Sequence, residues 1–359
     1  IINIIKMGKI LITGASGFIG SHLCLVLLKK GYEIIAIDSF ENSSPESLKR
    51  VVKILKSHKN TNADSLKLIK GDIRDQVFIK KVFEDTFNKG KPIKAVIHLA
   101  GLKSVVDSLR EPIKFWDYNV LGSINLFKIM DAFDCRTLVF SSSATVYDQS
   151  NILLKENTPI NPINPYGRTK VVVEKILNDL YLSPVFNWKI INLRYFNPIG
   201  AHESGMIGED SKSESTNIFP LINRVALGKI NKLKIFGNDW ETNDGTCIRD
   251  YIHIMDLVEG HLFALENLLN NPNQFLNINL GTGKGVSVLE LISTFEKVNN
   301  VSVPYVFAER RSGDKVKCVA DNALANKVLN WRTKRSLEVM CRDGWKWQKL
   351  NPNGYESLS

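Results

Sequence analysis

Short apolar runs rich in β-branched residues alternate with segments of helical periodicity through the first half of the chain. The predicted strands lie at residues 9–13, 33–37, 66–69, 95–99, 137–141 and 189–194. The predicted helices lie between them at about 18–30, 46–57, 75–88, 112–133 and 166–181. Because parallel strands are joined by long crossovers, usually helices, this alternation predicts an α/β fold with a doubly wound parallel sheet.

The alternation stops after Gly200. Residues 201–217 are rich in Gly, Ser, Glu and Asp and are predicted to form a loop. Beyond this loop we predict helices at 218–228 and 255–270 and strands at 233–236 and 275–280. We therefore expect a first domain over 7–200, to which 246–270 returns, and a smaller mixed α/β lobe made of 201–245 and 271–359.

The overall composition excludes several classes of protein. Of the 359 residues, 44% are hydrophobic and 23% are charged, which is typical of a folded protein rather than a disordered one. No apolar run approaches the ~20 residues of a membrane-spanning helix, so we expect no membrane insertion. The six residues before Met7 do not resemble a secretory signal, and we expect Met7 to be the natural start.

The charge and the cysteines bear on partners and compartment. The net charge of +10 comes mostly from dispersed lysines, and the densest stretch, 49–59, has the periodicity of a helix with one solvated face. We therefore favour a surface helix over a nucleic-acid site. An odd number of scattered cysteines without a Cys-x-x-Cys pair indicates a reducing compartment such as the cytoplasm. The six histidines show no paired ligand spacing, so no metal is expected.

A glycine-rich turn joins the first predicted strand to the first predicted helix. Gly14 permits the tight turn, Gly17 lets a pyrophosphate approach the backbone, and Gly20 lets the helix pack closely. The next strand ends in Asp38, whose carboxylate can accept hydrogen bonds from ribose hydroxyls and would repel a 2′-phosphate. The first domain is therefore predicted to be Rossmann-like and to bind NAD. The alternative is a glycine-rich turn with no cofactor.

Polar residues follow the third and fourth predicted strands at the edge where ligands of such sheets bind. Asp72 and Ile73 follow the third strand and could contact the adenine, while the run from Leu99 to Lys103 follows the fourth. Taken alone, Asp72 would more often cap a helix and Lys103 would more often be a solvated lysine.

The segment Pro-Tyr-Gly-Arg-Thr-Lys places Tyr166 and Lys170 one helical turn apart. A phenol titrates near ~10, and a nearby cation would lower its pKa toward the range of a useful base. Upstream, the run Ser141 to Ser143 ends a predicted strand and offers hydroxyls to a substrate oxygen. A surface tyrosine–lysine pair and a strand-end serine turn are the alternatives.

This combination resembles the extended short-chain dehydrogenase/reductases, and among them the UDP-glucose 4-epimerases. The similarity covers essentially residues 8–355. The glycine turn and the tyrosine–lysine pair are shared by many family members. Four runs are more specific to the epimerases: Ala-Gly-Leu-Lys, Ser-Ser-Ser-Ala-Thr-Val-Tyr, Arg-Tyr-Phe-Asn-Pro-Ile-Gly-Ala-His and Gly-Thr-x-Ile-Arg-Asp-Tyr-Ile-His.

The resemblance implies tightly bound NAD, a UDP-sugar substrate and a homodimer. By this resemblance, Tyr166 takes the proton of the sugar 4-hydroxyl, and Lys170 lowers the pKa of Tyr166. Ser143 forms a hydrogen bond with the reacting oxygen. The implied NAD-binding residues are Gly14, Gly17, Phe18, Ile19, Gly20, Asp38, Asp72, Ile73, Leu99, Ala100, Gly101, Lys103, Asn119, Ser141, Tyr166, Lys170 and Phe196. The implied UDP-sugar residues are Lys103, Ser143, Tyr166, Asn197, Asn217, Ile218, Phe236, Arg249, Arg311, Asp314 and Cys318.

The two arginines also fit their implied role by chemistry, since a guanidinium matches the charge of a pyrophosphate. The alternatives are salt bridges of Arg249 with Asp250 and of Arg311 with Asp314. Phe236, like most apolar residues, would by default lie in the core.

Two positions depart from the family pattern. Ala15 replaces a common glycine of the phosphate turn, and because alanine is small we expect NAD binding to survive. Cys318 falls where the resemblance places a residue beside the sugar 2-substituent. A tyrosine there restricts epimerases to UDP-glucose and UDP-galactose, so the small cysteine predicts that UDP-GlcNAc and UDP-GalNAc are also interconverted.

Three other functions are less compatible with the sequence. A nucleotide-sugar 4,6-dehydratase needs an additional acid and base beside the serine, where its relatives usually carry an Asp-Glu pair and this chain has Ala144 and Thr145. A uronate epimerase or decarboxylase has less support. A non-catalytic NAD-binding regulator could dispense with the Tyr166–Lys170 pair, which this chain retains.

Overall fold

In the part of the chain that the structure describes, fourteen strands form one large sheet and three small ones. The structure, a computed structural model, describes residues 8–59, 61–148, 153–185, 187–211, 217–311 and 314–356, so the predicted start at Met7 lies outside it. The strands are β1 Lys9–Thr13, β2 Ile34–Asp38, β3 Leu66–Lys70, β4 Ile93–His98, β5 Thr137–Ser143, β6 Lys189–Tyr195, β7 Asn197–Ile199, β8 Leu233–Phe236, β9 Ile248–Arg249, β10 Tyr251–His253, β11 Phe275–Leu280, β12 Val286–Ser287, β13 Tyr305–Ala308 and β14 Lys317–Cys318.

The large sheet has seven parallel strands in the order β11-β6-β5-β4-β1-β2-β3. From β1 the chain proceeds outward through β2 and β3, then returns to β4 on the other side of β1. The carboxyl ends of β1 and β4 therefore form the switch point at which open parallel sheets bind ligands. The predicted Rossmann-like doubly wound sheet is confirmed.

Apolar side chains cover both faces of this sheet. Ile10 and Ile12 of β1 lie in one core cluster, whereas Leu11 between them lies in the cluster on the opposite face. Side chains alternate across a strand, so a strand covered by helices on both faces must be apolar at successive positions. This explains the uninterrupted runs that predicted the strands.

Helices connect the strands and cover the sheet. They are Phe18–Lys30, Glu46–Ser57, Gln76–Asn88, Val105–Arg110, Pro112–Trp116, Gly122–Ala132, Pro165–Leu182, Ile218–Ala226, Ile254–Asn270, Val288–Asn299, Ala323–Leu329 and Leu337–Leu350. Among the described residues, no helix has the length and apolar character needed to cross a membrane.

The helix predicted at 112–133 is interrupted. An α-helical turn at Pro112–Trp116 passes into a π-helical turn at Asp117–Leu121, and the α-helix resumes at Gly122. A π-turn adds one residue to the helical repeat and is common at functional sites. Here it turns Asn119 inward, so that this amide is almost fully buried.

The small sheets are formed by strands after β6, of which β7 falls in the predicted first domain, β9 and β10 in the segment predicted to return to it, and the others in the predicted second lobe. They are the parallel pairs β8–β13 and β7–β10 and the three-stranded sheet β12-β9-β14. One predicted boundary is wrong for β11, because it falls in 271–359 but pairs with β6 in the large sheet. In the sequence β11 follows strands of the small sheets, so its place beside β6 in the large sheet is visible only from long-range strand pairing. The division into two domains otherwise stays a prediction.

Candidate functional site

A cavity of about 1040 Å³ opens at the carboxyl edge of the large sheet and extends to the small sheets. Its wall contains nearly every residue predicted for the site. These are Gly14, Gly17, Phe18, Ile19, Gly20, Asp38, Asp72, Ile73, Leu99, Ala100, Gly101, Lys103, Ser141, Ser143, Tyr166, Lys170, Phe196, Asn197, Asn217, Ile218, Phe236, Arg249, Arg311, Asp314 and Cys318. Asn119 does not line this cavity.

The glycine turn leaves no room for larger residues at two of its positions. Gly14 has φ +70°, and a Cβ there would lie 2.8 Å from the backbone nitrogen of Ala100 in the loop after β4. A Cβ on Gly20 would lie 2.3 Å from the Gly14 carbonyl oxygen. The helix begins at Phe18 without a side-chain cap, so its first-turn N–H groups and positive dipole end are suited to an anion. Ala15 is fully buried and fits the turn.

Replacing Gly20 with alanine is expected to destabilise the protein by about 1–3 kcal/mol, because the added methyl would overlap backbone atoms of Gly14 and Ala15. Gly260→Ala is the matched control, since it also lies in a helix but its nearest neighbour is the flexible end of Leu280. Urea unfolding of both variants measures the difference. A Gly20→Ala protein as stable as Gly260→Ala would contradict the close packing of the turn.

Asp38 is held with both carboxylate oxygens oriented. It accepts hydrogen bonds from the backbone N–H of Ser16 at 2.8 Å, from the N–H of Phe40 at 2.9 Å and from the hydroxyl of Ser43 at 2.7 Å. Phe40 adopts a left-handed conformation with φ 60°, which closes the turn around the carboxylate. Asp38 is buried yet lines the cavity, so its remaining lone pairs can accept ribose hydroxyls.

Asp72 and Ile73 line the cavity where the adenine is expected. Burial raises the pKa of Asp72, but hydrogen bonds from Arg74 outweigh it, and the net pKa lies below the usual range. The guanidinium of Arg74 donates to Asp72 at 2.7 Å and stacks 3.6 Å from the centroid of the Tyr118 ring. The capping alternative for Asp72 is wrong, because Asp75 caps the helix that follows.

Asn119 supports the loop after β4 rather than forming the cavity wall. Its amide accepts from the N–H of Leu102 at 2.7 Å and donates to the Leu102 carbonyl at 3.0 Å and to Thr169 at 3.1 Å. Because the π-turn directs this side chain inward, it joins the loop after β4 to the helix Pro165–Leu182. Lys103 in the same loop is half exposed and pairs with Glu209 at 2.8 Å.

The helix Pro165–Leu182 positions Tyr166 and Lys170 beside the serine run. Asn164 caps it by accepting from the N–H of Gly167, and Pro165 occupies the first turn, where its missing N–H costs no hydrogen bond. The Lys170 ammonium donates to the Ser141 carbonyl at 2.8 Å and lies 5.8 Å from the centroid of the Tyr166 ring. The predicted convergence of these groups is thus present.

Burial dominates the titration of both groups. It lowers the pKa of Lys170 to about 8, opposed by the charge of Glu174. It raises the pKa of Tyr166, opposed by a hydrogen bond with Ser143. In the polypeptide alone the phenol is therefore held neutral, and the lowering of the Tyr166 pKa by Lys170 stays a prediction.

A buried ion pair lies behind these groups. Glu174, one turn beyond Lys170, pairs with Arg194 through bonds of 2.7 and 3.0 Å and accepts from the Ser142 hydroxyl at 2.5 Å. Arg194 also donates to the Tyr147 hydroxyl at 3.0 Å. The pair joins β5, β6 and the helix. Only its i, i+4 spacing from Lys170 could have suggested Glu174 from sequence.

Two arginines border the other end of the cavity. Arg249 does not pair with Asp250, which is buried and accepts hydrogen bonds from Thr282, so that alternative is wrong. Arg249 lies 3.7 Å from Asp314 instead, and Arg311 pairs with the same carboxylate at 3.2 Å. The guanidinium of Arg311 also stacks 4.4 Å from the ring centroid of Phe236. Phe236 therefore belongs to the cavity wall rather than to the core.

Sequence reasoning missed several polar residues of the wall. Glu41 accepts from the Tyr118 hydroxyl at 2.9 Å and pairs with Lys114 at 3.4 Å, and Glu209 pairs with Lys103. Glu41 and Glu209 come from loops far apart in the chain and belong to no motif. No signal in the sequence could have brought them together.

Comparison with known proteins supports one family. A family model described as GDP-mannose 4,6 dehydratase matches residues 11–344. The UDP-glucose 4-epimerase of Bacillus subtilis (strain 168) is 46% identical over 349 residues, which span 97% of this chain and 99% of that protein. UDP-glucose 4-epimerase 2 of Arabidopsis thaliana is 44% identical over 352 residues, 98% of each protein.

This chain belongs to the UDP-glucose 4-epimerase family. A solved structure of the Bifidobacterium longum epimerase in complex with NAD+ and UDP superposes with a TM-score of 0.89 at 39% identity, covering 96% of this chain and 99% of that one. The Stenotrophomonas maltophila epimerase, solved with NAD and formylated UDP-arabinopyranose, gives 0.90 at 39% identity and the same coverage.

The residues of this epimerase-family chain fit a dinucleotide. Gly14 and Gly20 are sterically required in the turn, the helix beginning at Phe18 presents N–H groups to an anion, and Asp38 is preorganised for a ribose. Tyr166 and Lys170 lie farther along the same cavity. In the sheet order, the glycine turn after β1 lies between Asp38 at the end of β2 and the β5 side with Tyr166 and Lys170, which matches the order ribose, pyrophosphate and reacting ring of such a cofactor.

Proposed function

We propose that this chain is an NAD-dependent UDP-glucose 4-epimerase. The observation that carries the proposal is one continuous cavity that contains the glycine turn, the Ser143–Tyr166–Lys170 group and the Arg249–Arg311 pair. A redox-neutral inversion at C4 requires the cofactor, the proton acceptor and the UDP grip within reach of a single sugar. This proposal extends to the roles assigned above to the individual site residues.

Each side chain contributes one physical step. Tyr166 takes the proton of the sugar 4-hydroxyl, and Ser143 donates to the oxygen that becomes the 4-keto group. Lys170 is anchored on Ser141 and presents its charge toward the Tyr166 ring. NAD, when bound, supplies the redox couple that takes a hydride from C4 and returns it to the opposite face.

The binding residues must meet two opposing demands. The pyrophosphate of UDP must be held firmly, and Arg249 and Arg311 supply two guanidinium groups for that purpose. The hexose must rotate to present its opposite face before the hydride returns, so the protein must make few contacts with the sugar itself. The Asp314 carboxylate lies within 4 Å of both guanidinium groups and orients them.

The test uses the purified chain with no added cofactor. Incubation with UDP-galactose is expected to yield an equilibrium mixture with UDP-glucose, identified by chromatography, because the cofactor is retained and regenerated in each cycle. Acid extraction of the same sample is expected to release one nicotinamide dinucleotide per chain. A protein that holds no NAD and cannot bind it when supplied would overturn the proposal.

The 4,6-dehydratase alternative is disfavoured at the position after the catalytic serine. Ala144 is buried and has no acid or base, and the Thr145 hydroxyl donates to Ser143 at 3.0 Å. Elimination of water from C5–C6 needs an acid and a base there. Detection of a 4-keto-6-deoxy product would favour that function instead.

We also propose that N-acetylated UDP-sugars are accepted. Cys318 lines the cavity, and in the pairing of β14 with β9 it lies next to Arg249 on the neighbouring strand. Cys318→Tyr is expected to abolish turnover of UDP-GalNAc, because a ring would fill the space for the acetamido group, and to preserve turnover of UDP-galactose. Cys318→Ala is the control and should keep both activities. Wild-type protein that converts UDP-galactose but not UDP-GalNAc would contradict this assignment.

A homodimer in the cytoplasm completes the proposal. Exposed apolar side chains at Leu109, Ile113 and Leu121 lie on the helical segments after β4 and could form a subunit contact. All five cysteines are free, which suits a reducing compartment. Light scattering is expected to give twice the chain mass of 40.5 kDa.

A further inference from the structure

A chain of buried hydrogen bonds lies beneath the switch point of the large sheet. The backbone N–H of Ala100 donates to the hydroxyl of Thr13 at 3.2 Å, and that hydroxyl lies 2.7 Å from Nδ1 of His98. On the other side of the ring, Nε2 lies 2.9 Å from the hydroxyl of Ser123. Thr13, His98 and Ser123 are all buried to within 1% of full burial.

Counting hydrogens assigns one tautomer to His98. The Ser123 hydroxyl has a single hydrogen, which it donates to the Asn119 carbonyl at 2.5 Å, so it must accept from Nε2. The ring then carries its hydrogen on Nε2, and Nδ1 accepts from the Thr13 hydroxyl. Every member therefore has a partner with the ring neutral. Burial also lowers the pKa of His98 to about 3, and the nearby charge of Lys170 acts in the same direction.

The chain continues from Asn119 to the catalytic helix Pro165–Leu182. The Asn119 amide donates to the hydroxyl of Thr169, which donates in turn to the backbone carbonyl of Tyr166 at 2.7 Å. The same amide holds both polar groups of Leu102. One set of bonds thus extends from the residue before Gly14, through the loop after β4, to the residue proposed to transfer the proton.

The His98 ring also packs against the aromatic rings of Phe127 and Phe140. Its centroid lies 5.7 Å from the ring centroid of Phe140, and the Lys170 ammonium lies 4.9 Å from the same Phe140 centroid. Buried polar groups are costly when unpaired, so the members of a fully satisfied network constrain one another's positions. A shift of the glycine turn would break bonds that also orient the tyrosine.

We propose that neutral His98, with Thr13 and Ser123, is a positioning residue that fixes the cofactor-binding turn relative to Tyr166. His98 does not line the cavity and acts through Ala100, Leu102 and the π-turn at Asn119. The inference rests on the proposed function, because its effect on catalysis requires a cofactor held at the switch point.

The first test removes single hydroxyl groups from this network of hydrogen bonds. Thr13→Val and Ser123→Ala are expected to speed the exchange of bound NAD for labelled NAD by about tenfold or more, since each leaves one buried ring nitrogen of His98 without its hydrogen-bond partner. Thr13→Ser keeps the hydroxyl and is expected to restore slow exchange. Thr86→Val is the matched control, because its buried hydroxyl bonds only to carbonyls of its own helix, at Val82 and Phe83.

The second test reads the ring directly. Nitrogen-15 NMR of wild-type protein at pH 7 is expected to show His98 as the neutral Nε2–H tautomer, which a merely space-filling histidine would not require. A charged ring, the Nδ1–H tautomer, or NAD exchange in Thr13→Val equal to that in Thr86→Val would overturn the proposal. If wild-type protein binds no nicotinamide, the proposed function fails instead, and the NMR signal still decides the hydrogen-bond chain.

Discussion

Replacing Tyr166 with phenylalanine is expected to lower kcat for UDP-galactose by about 10²–10⁴-fold, the usual contribution of a positioned acid–base group. The phenol hydroxyl is the only proton acceptor proposed at the sugar 4-oxygen, and phenylalanine preserves the ring. Binding of UDP is expected to change little, because Arg249 and Arg311 lie at the other end of the cavity.

Steady-state kinetics and calorimetric titration with UDP separate the two effects. Tyr181→Phe is the matched control, since it removes a phenol hydroxyl from the same helix but lies outside the cavity wall. Its kcat should match that of the wild-type protein. If Tyr166→Phe retained kcat within a few-fold, another group would have to accept the proton.

Breaking the buried ion pair behind Lys170 is expected to produce the largest loss of stability. Glu174→Leu leaves the guanidinium of Arg194 buried without its carboxylate, a situation that costs about 3–5 kcal/mol in other proteins. Arg194 is only 2% exposed, so water cannot replace the lost partner. The Ser142 hydroxyl, next in sequence to Ser143, loses its acceptor as well.

Urea unfolding of three variants tests this expectation. The double variant Glu174→Leu with Arg194→Met removes both charges and is expected to be more stable than the single variant, because no buried charge remains unpaired. Glu33→Ala is the surface control: its salt bridge with Lys91 is exposed, and its loss should cost less than about 1 kcal/mol. Equal losses for Glu174→Leu and Glu33→Ala would show that Arg194 finds another partner.

Local patterns in the sequence predicted much of the fold and the site. The glycine turn, the fully apolar strands and the Tyr166–Lys170 spacing depend on residues within one or two turns of one another. Backbone conformation and strand burial act over that range, so they produce a recognisable spacing of apolar residues and glycines in the sequence. The family resemblance then assigned the substrate residues, and the cavity contains all of them.

The sequence by itself therefore determined the parallel sheet, the position of the phosphate turn and the pair of residues proposed for proton transfer. Only the tertiary structure decided that Arg249 faces Asp314 rather than Asp250, that β11 completes the large sheet, and that His98 joins Thr13 to Ser123. The partners His98 and Thr13 are 85 residues apart. Such contacts depend on which elements the folded sheet brings together, and no local period encodes that.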